Sequence, residues 1–446
     1  MDDRFRLFMR LWGVVALAHV VGNWQQPNVP SLAGLALFAV GLLGVGLAVA
    51  PGRRAFVALC AAILLCAVCE TPRLYNHWLV AAIVSAAALL AGGRPDRFVP
   101  AARLVFLIFY VWAAFNKLNT GFFTPETSCG LFYANHSLEA AGLPTVFPHS
   151  PWAWVPIVGS ALVELAIPPL LLVRRTRTIG VVLASTFHFL ISLDLAQHFY
   201  DFTSVLIALL ALFLPSATAV RFEKGMSRVP ARARKLLSLG FTVLGGVMVG
   251  AAVVPVQAQT VFFVRGLPFV LWIPFGLAFL VAVVVFRERP EPLDFRAGRS
   301  GFALALLTLI NGATPYLELK TAGGFNMYAN LVTAQGRSNH WLIRGTLPLR
   351  DGYSGPVEIL ASSDAGLLRY RDRGYRIAFP EFRRYLATRP ETSLTYRRAG
   401  AVFAVARAGD DPALSDAGPW WWRLFPLRSL DTADPPRCQD EWLPAL

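Results

Sequence analysis

The amino-acid sequence predicts an all-α polytopic membrane bundle over residues 1–316, followed by a small α+β domain over residues 317–446 on the non-cytoplasmic face. Three observations carry this prediction. Long apolar runs recur through the first two thirds of the chain and then stop near Tyr316. The 446 residues are 55% hydrophobic and 15% charged, whereas about a quarter of an ordinary globular domain is charged. The basic residues gather in alternate loops, as they do when bundle loops alternate between two sides of a bilayer.

A crossing helix needs about 20 mostly apolar residues, and shorter ones are tolerated inside bundles. Eleven segments fit: 7–22, 31–50, 55–70, 77–91, 100–117, 152–173, 178–195, 199–216, 236–255, 266–286 and 300–316, giving about nine to eleven spans. Asp2, Arg4, Arg6 and Arg10 ahead of Leu11 to Val21 imitate a signal peptide, but Gly22-Asn23-Trp24-Gln25 offers no small-x-small cleavage site, so an uncleaved first helix is expected. Loops after even-numbered segments carry Arg53 and Arg54, Arg94 and Arg97, Arg174, Arg175 and Arg177, then two further basic stretches around 221–235 and 287–299. Loops after odd-numbered segments carry little beyond Arg73 and Arg265. The asymmetry predicts a cytoplasmic N-terminus and a C-terminal domain on the opposite face. It also accounts for the net charge of +14 without a nucleic-acid partner. The Ala- and Arg-rich composition fits a bacterial protein from a high-GC genome, with the inner (plasma) membrane as its expected address.

Beyond Tyr316, Val357-Glu358-Ile359-Leu360 and Val402-Phe403-Ala404-Val405 read as strands, and Pro380 to Leu386 reads as a short amphipathic helix. Trp420-Trp421-Trp422 fits either lipid headgroups or the core of this domain. There is no internal repeat, so the inverted symmetry expected of a transporter is missing. Of the five cysteines, Cys60, Cys66, Cys69, Cys129 and Cys438, the Cys66-x-x-Cys69 pair lies inside an apolar run. Small hydrophobes packed in a core are the simpler reading there, with zinc or redox chemistry the alternative, and the sequence names no metal site.

Ionisable groups inside a membrane need a reason, and four stand out: His77, Lys117, Glu164 and His188. Lys117 is one of only four lysines and ends an apolar run. Arginine keeps its proton at any accessible pH, whereas a partly desolvated lysine can release one and act as a base. A lysine snorkelling to the headgroups is the alternative. His77 opens the fourth segment on the same side as the end of the fifth, so His77 and Lys117 are expected to face one pocket, unless His77 simply caps its helix. Glu164 and His188 lie mid-segment on neighbouring helices, where a mutual pair would offset their burial.

These residues, in this order, resemble the vitamin K-dependent γ-carboxylase family, also called the horizontally transferred transmembrane (HTTM) domain family. Asn76-His77 resembles the family's Asn-His pair at a helix start, and Lys117-Leu118 its lysine and leucine at a helix end. Glu164, Arg174-Arg175-Thr176-Arg177, Phe187-His188 and a helix ending in Phe213-Leu214-Pro215 follow in the same order. Asn311 to Tyr316, Phe325 to Leu331 and Ser338-Asn339-His340 are similar to bacterial members, so the resemblance spans most of residues 1–345. It departs at Asn116, where the animal enzymes have a second lysine, and at Phe122 and Phe123, where a tryptophan is expected.

The resemblance implies quinol-dependent carboxylation, with reduced vitamin K or menaquinol as cofactor and O2 and CO2 as co-substrates. Lys117 would deprotonate the quinol, His77 would assist at carboxylation, and Asn76, Glu164 and His188 would belong to the substrate or quinone pocket. The implied partners are the lipid bilayer, a quinol, and a peptide, protein, lipid or small-molecule substrate. The competing expectation is a non-catalytic HTTM-fold protein that binds quinone, lipid or a partner protein. Convergence of Lys117 and His77 in one lipid-accessible pocket separates the two.

Overall fold

All eleven apolar segments fold as helices in the computed structural model, which describes residues 3–22, 31–195, 197, 199–228, 230–253 and 266–439. Asn23 to Gln25, the end of the ninth segment at 254–255, and Arg265 lie outside the described residues. The helices are α1 (Asp3–Gly22), α2 (Leu32–Val49), α3 (Arg53–Glu70), α4 (Asn76–Leu90), α5 (Pro95–Phe115), α6 (Cys129–Ala140), α7 (Trp154–Leu172), α8 (Arg177–Ile191), α9 (Phe199–Ala211), α10 (Ser216–Arg228), α11 (Ala231–Val253), α12 (Leu267–Val285) and α13 (Gly298–Ala313). Local chemistry sets several of the bounds. The Ser31 hydroxyl accepts from the Gly34 amide at the start of α2, and Pro95 opens α5 where its missing N–H costs nothing.

Among the described residues, fewer helices than the expected nine to eleven spans are long and apolar enough to cross a membrane on their own. Six helices among the described residues are long and apolar enough to cross a membrane: α1, α2, α5, α7 with its leading turn from Pro151, α11 and α12. The pair α9 and α10, bent by 116°, would make a seventh. Helices α4 and α8 have 15 residues, α9 has 13 and α13 has 16, while α3 carries Arg53, Arg54 and Glu70. Apolar composition over so short a stretch serves interior packing as well as lipid contact: α9 is buried at every position except Phe202.

Two helices of the bundle go beyond the sequence expectation. In α6 the Ser128 hydroxyl caps the first turn, and Gly142 in the left-handed region ends it with Leu143 N–H donating back to the Leu138 carbonyl. The other, α10, is polar enough to read as a loop in a hydropathy scan.

Helices α1 and α5 form the interior, with 72% of each span buried, while α7, α11 and α12 are only 28–33% buried. Beyond the basic first turn of α11, which exposes Arg232, Arg234 and Lys235, the helix exposes large apolar side chains, Leu236, Leu237, Leu239, Val243 and Val247 among them. Small residues let the inner helices touch: a Cβ on Gly13 would sit 2.5 Å from the Gly44 carbonyl oxygen of α2. At the end that holds the start of α1, Arg4 pairs with Glu291 at 2.6 Å, Arg10 with Glu223 at 3.3 Å, and Arg53 donates to the Gly92 carbonyl at 2.8 Å. The loops that the charge pattern assigns to one side therefore meet at one end.

Residues 317–439 cover the opposite end. A hairpin of β1 (Thr333–Ala334) and β2 (Arg337–Ser338) leads to an antiparallel sheet ordered β3 (Glu358–Ser362), β5 (Leu394–Arg398), β6 (Ala401–Val405), and β4 (Tyr375–Arg376) pairs with β7 (Leu430–Asp431). With α14 (Ala365–Arg373) and α15 (Phe379–Ala387) the sheet encloses a core of Val357, Ile359, Leu367, Phe382 and Leu394. Both expected strands and the expected helix are present. Trp420 and Trp421 are 71% and 47% exposed, so neither forms that core, and Trp422 lies half-buried beneath the Arg350 guanidinium, 4.8 Å from its ring.

Two features bind this layer to the bundle. A disulfide joins Cys129, at the start of α6, to Cys438, 309 residues later. Residues 314–331 run without regular structure yet are almost wholly buried, with Phe325 and Met327 part of the bundle's own core.

Candidate functional site

Lys117 follows the last turn of α5, where its amide donates to the Ala114 carbonyl in a tightened turn. Its Nζ lies 2.6 Å from Glu164 Oε2 on α7, with both side chains about nine-tenths buried. Along α5, the Tyr110 hydroxyl makes a short hydrogen bond with His188 Nε2 on α8. Glu164 and His188 are thus each paired, but with α5 and not with one another as the sequence suggested. The physical reason is that α5 runs through the bundle's interior and contacts both neighbours.

The two pairs share a cavity of about 510 Å3, bounded by α5, α6, α7, α8 and α9 and roofed by Met327 and Tyr328. Its walls are mainly apolar, with Phe109, Phe187 and Phe202 among them. Two lining residues, Val155 on α7 and Leu190 on α8, are 61% and 59% exposed, so the cavity reaches the outer surface of the bundle between these helices. His188 Nδ1 is buried and has no hydrogen-bond partner among the described residues. A buried unpaired polar atom costs free energy, and one lining a cavity is satisfied by a ligand that can hydrogen-bond to it.

The roof is held in a strained conformation. Phe325 and Tyr328 have φ of +58° and +51°, which costs bulky L-residues on the order of 1–2 kcal/mol each. Asparagines pin them. Asn76 Oδ1 accepts from the Phe325 amide at 2.7 Å, Asn116 Nδ2 donates to the Phe325 carbonyl at 3.0 Å, and Asn119 Nδ2 donates to the Ala329 carbonyl at 2.5 Å. Asn76 therefore does not line the cavity; it fixes the segment that closes it. Asn330 accepts from the Cys129 amide at 2.8 Å, and His340 Nε2 lies 3.0 Å from the Phe115 carbonyl, joining the roof to α6 and the later chain to α5.

His77 is elsewhere. Its Nε2 is 2.9 Å from Asp201 Oδ2 on α9, and the same oxygen is 3.0 Å from His19 Nδ1 on α1. His19 Nε2 reaches Glu70 Oε1 at 2.9 Å, and the Cys66 thiol donates to that oxygen at 3.4 Å. The His19 ring stacks on Trp78 at 3.4 Å. Between this cluster and the cavity stands Phe202, whose ring is 5.7 Å from His77 and 5.2 Å from His188. Lys117 and His77 consequently occupy two adjacent polar sites and do not converge in one.

No family profile, curated protein or solved structure matches the chain. The site is therefore read from its own geometry.

Sequence reasoning passed over Tyr110, Glu70, His19 and Asp201. The last three carry the signal that selected Lys117, an ionisable side chain in an apolar segment, and would have been found by applying it evenly. It also passed over a pair at the cavity's edge, where Asp194 accepts from His136 Nδ1 at 2.8 Å and from the hydroxyl of Ser137, a lining residue, at 3.0 Å. Cys66 faces Glu70 and not a second thiol; it and Cys69 are both free, so they form no disulfide.

Proposed function

We propose that the chain is an integral membrane enzyme that takes a quinol from the bilayer into the Lys117 cavity and couples its oxygenation to modification of a substrate, in the manner of the γ-carboxylase-like proteins its motifs resemble. The observation that carries this reading is a Lys117–Glu164 pair on the wall of an apolar cavity that opens through the side of the bundle. Reduced vitamin K or menaquinol fits that space: its ring suits the phenylalanine-lined walls, one hydroxyl has the unpaired His188 Nδ1 as partner, and an isoprenoid tail can leave between α7 and α8. When bound, the quinol reacts overall with O2 to give the quinone epoxide and water, and this supplies the driving force for replacing a substrate C–H proton with CO2. The chain's own part is proton handling. Transfer across the 2.6 Å contact to Glu164 leaves Lys117 as an amine able to accept a hydroxyl proton. The closed roof and apolar walls keep water from that amine.

In this reading the basic end of the bundle faces the cytoplasm, the short helices complete a bundle of about nine to eleven crossings, and residues 317–439 lie outside. A disulfide between Cys129 and Cys438 supports that orientation, because such bonds persist in oxidising compartments. A second reading, binding of quinone or lipid without catalysis, is favoured by one observation: His77, which the family pattern assigns to the carboxylation step, stands behind Phe202.

The test is quinol epoxidation by the purified chain in nanodiscs with menaquinol or reduced vitamin K, O2 and bicarbonate. Epoxide from wild type and none from Lys117→Ala is the expected result. No epoxide from folded wild type with either quinol would leave the binding reading.

A further inference from the structure

We infer that His19, His77 and Asp201 form a binding site for a divalent first-row transition metal ion, buried within the bundle and separated from the cavity by Phe202. Three helices far apart in sequence, α1, α4 and α9, each contribute one donor: His19 Nδ1, His77 Nε2 and an Asp201 carboxylate oxygen. These donor atoms lie within 4.8 Å of one another, and the two nitrogens already sit 3.0 and 2.9 Å from Asp201 Oδ2. Tetrahedral coordination with bonds of about 2.0–2.1 Å places donors roughly 3.4 Å apart, so each nitrogen would move slightly away from Asp201 Oδ2 on metal uptake, with loss of the intervening protons.

Two further observations point to a ligand. Asp201 Oδ1 is buried without a hydrogen-bond partner among the described residues, and a metal-bound carboxylate would no longer leave that polarity unanswered. Around the donors there is also the outer support that metal sites require. Glu70 Oε1, at 2.9 Å, accepts from His19 Nε2–H, which selects the tautomer whose Nδ1 lone pair faces Asp201, while stacking on Trp78 fixes the plane of the ring. His19 cannot give both nitrogens to one ion, so Glu70 and Cys66 are outer groups and not ligands.

Charge argues the same way. The carboxylate side chains of Glu70 and Asp201 are each only 7% exposed, so two carboxylates there require compensation, and one divalent ion supplies it. Two imidazoles and a carboxylate suit Zn2+ or Fe2+, whereas Mg2+ and Ca2+ prefer all-oxygen sites. This inference is independent of the quinol reading, since it concerns groups outside the cavity.

The experiment is elemental analysis of the purified full chain, together with Co2+ uptake after mild chelation. Expected are one Zn or Fe ion per chain and, with Co2+, visible d–d bands without thiolate-to-metal charge transfer. Asp201→Asn and His77→Gln, checked for folding by size-exclusion chromatography and circular dichroism, should each lose the metal. Cys69→Ala should keep it, which separates this site from a Cys66-x-x-Cys69 centre. A folded wild type holding substoichiometric metal and acquiring no Co2+ or Zn2+ would overturn the inference, leaving a hydrogen-bonded network held by protons. So would stoichiometric metal that persists in both Asp201→Asn and His77→Gln.

Discussion

The bundle buries two clusters of ionisable side chains on either side of one phenylalanine, and they differ in what they face. The Lys117–Glu164 and Tyr110–His188 pairs line a 510 Å3 cavity that reaches the bundle surface, and one imidazole nitrogen there has no partner. In the His19–His77–Asp201–Glu70 cluster the ionisable groups pair with one another, Asp201 Oδ1 excepted, with an aromatic ring at 3.4 Å over His19 and Phe202 beside His77. Both violate the rule against charge in apolar surroundings, so burial alone cannot identify the reactive one. Access does: a cluster that lines a cavity reaching the bundle surface can meet a substrate, and one set apart from that cavity can hold an ion or stabilise the fold.

The largest effect should separate the two clusters by activity. Lys117→Ala should lower quinol epoxidation by about 10^3-fold, within the range for loss of a general base, while His77→Gln should leave that half-reaction within about threefold. Equal losses in both variants would merge the two sites into one.

Stability should then expose the pairing inside the open cluster. Lys117→Ala strands the Glu164 carboxylate and should cost about 3–5 kcal/mol, and Lys117→Met combined with Glu164→Leu should recover most of it without recovering activity. Thermal unfolding in a fixed detergent reads both variants.

A third buried ionisable group, outside the bundle, gives a pH signature of its own. Burial pushes the Glu381 carboxyl up to about 7 from an ordinary 4.5, although Arg384 is 2.6 Å away and the Leu427 amide donates to it. The folded state therefore holds a proton that the unfolded state has released between these values. Stability is fully present below about pH 4.5 and is lost as pH rises through about 7, by ~3 kcal/mol at 1.36 kcal/mol per unit. Hydrogen exchange in α15 and β5 measured across that window should follow this slope, and Glu381→Gln should flatten it.

The smallest change sharpens the boundary itself. Phe202 is half-buried, so Phe202→Ala should cost only about 1–2 kcal/mol, yet it should expose His77 to modification by diethyl pyrocarbonate, detected by peptide mass spectrometry. His77 reacting as readily in wild type would mean that Phe202 is no barrier.

Much of the fold was legible because apolar runs report burial directly, and every predicted segment is helical. What composition cannot distinguish is burial in lipid from burial in protein, so α4, α8, α9 and α13 read as spans from their apolar runs although none exceeds 16 residues. Lys117, Glu164 and His188 were legible as charges in apolar segments and do share a cavity. Their partners were not: Tyr110 is 78 positions from His188 and Asp201 is 124 from His77, and such pairings follow from helix packing rather than local pattern. The buried roof at 314–331 was likewise invisible, because its asparagine clamps come from α4, the end of α5 and the turn after it.

The central claim, that the Lys117 cavity takes a quinone from the bilayer, is tested most directly by equilibrium binding of radiolabelled menaquinone to the protein in nanodiscs, comparing wild type with Gly159→Phe. Gly159 lines the cavity and a Cβ there meets nothing within 4 Å, so the added ring fills the space without disturbing a packed contact. Saturable binding to wild type, lost in a Gly159→Phe variant of unchanged melting temperature, is the predicted result. Undiminished binding in that variant, or none in the wild type, would contradict it.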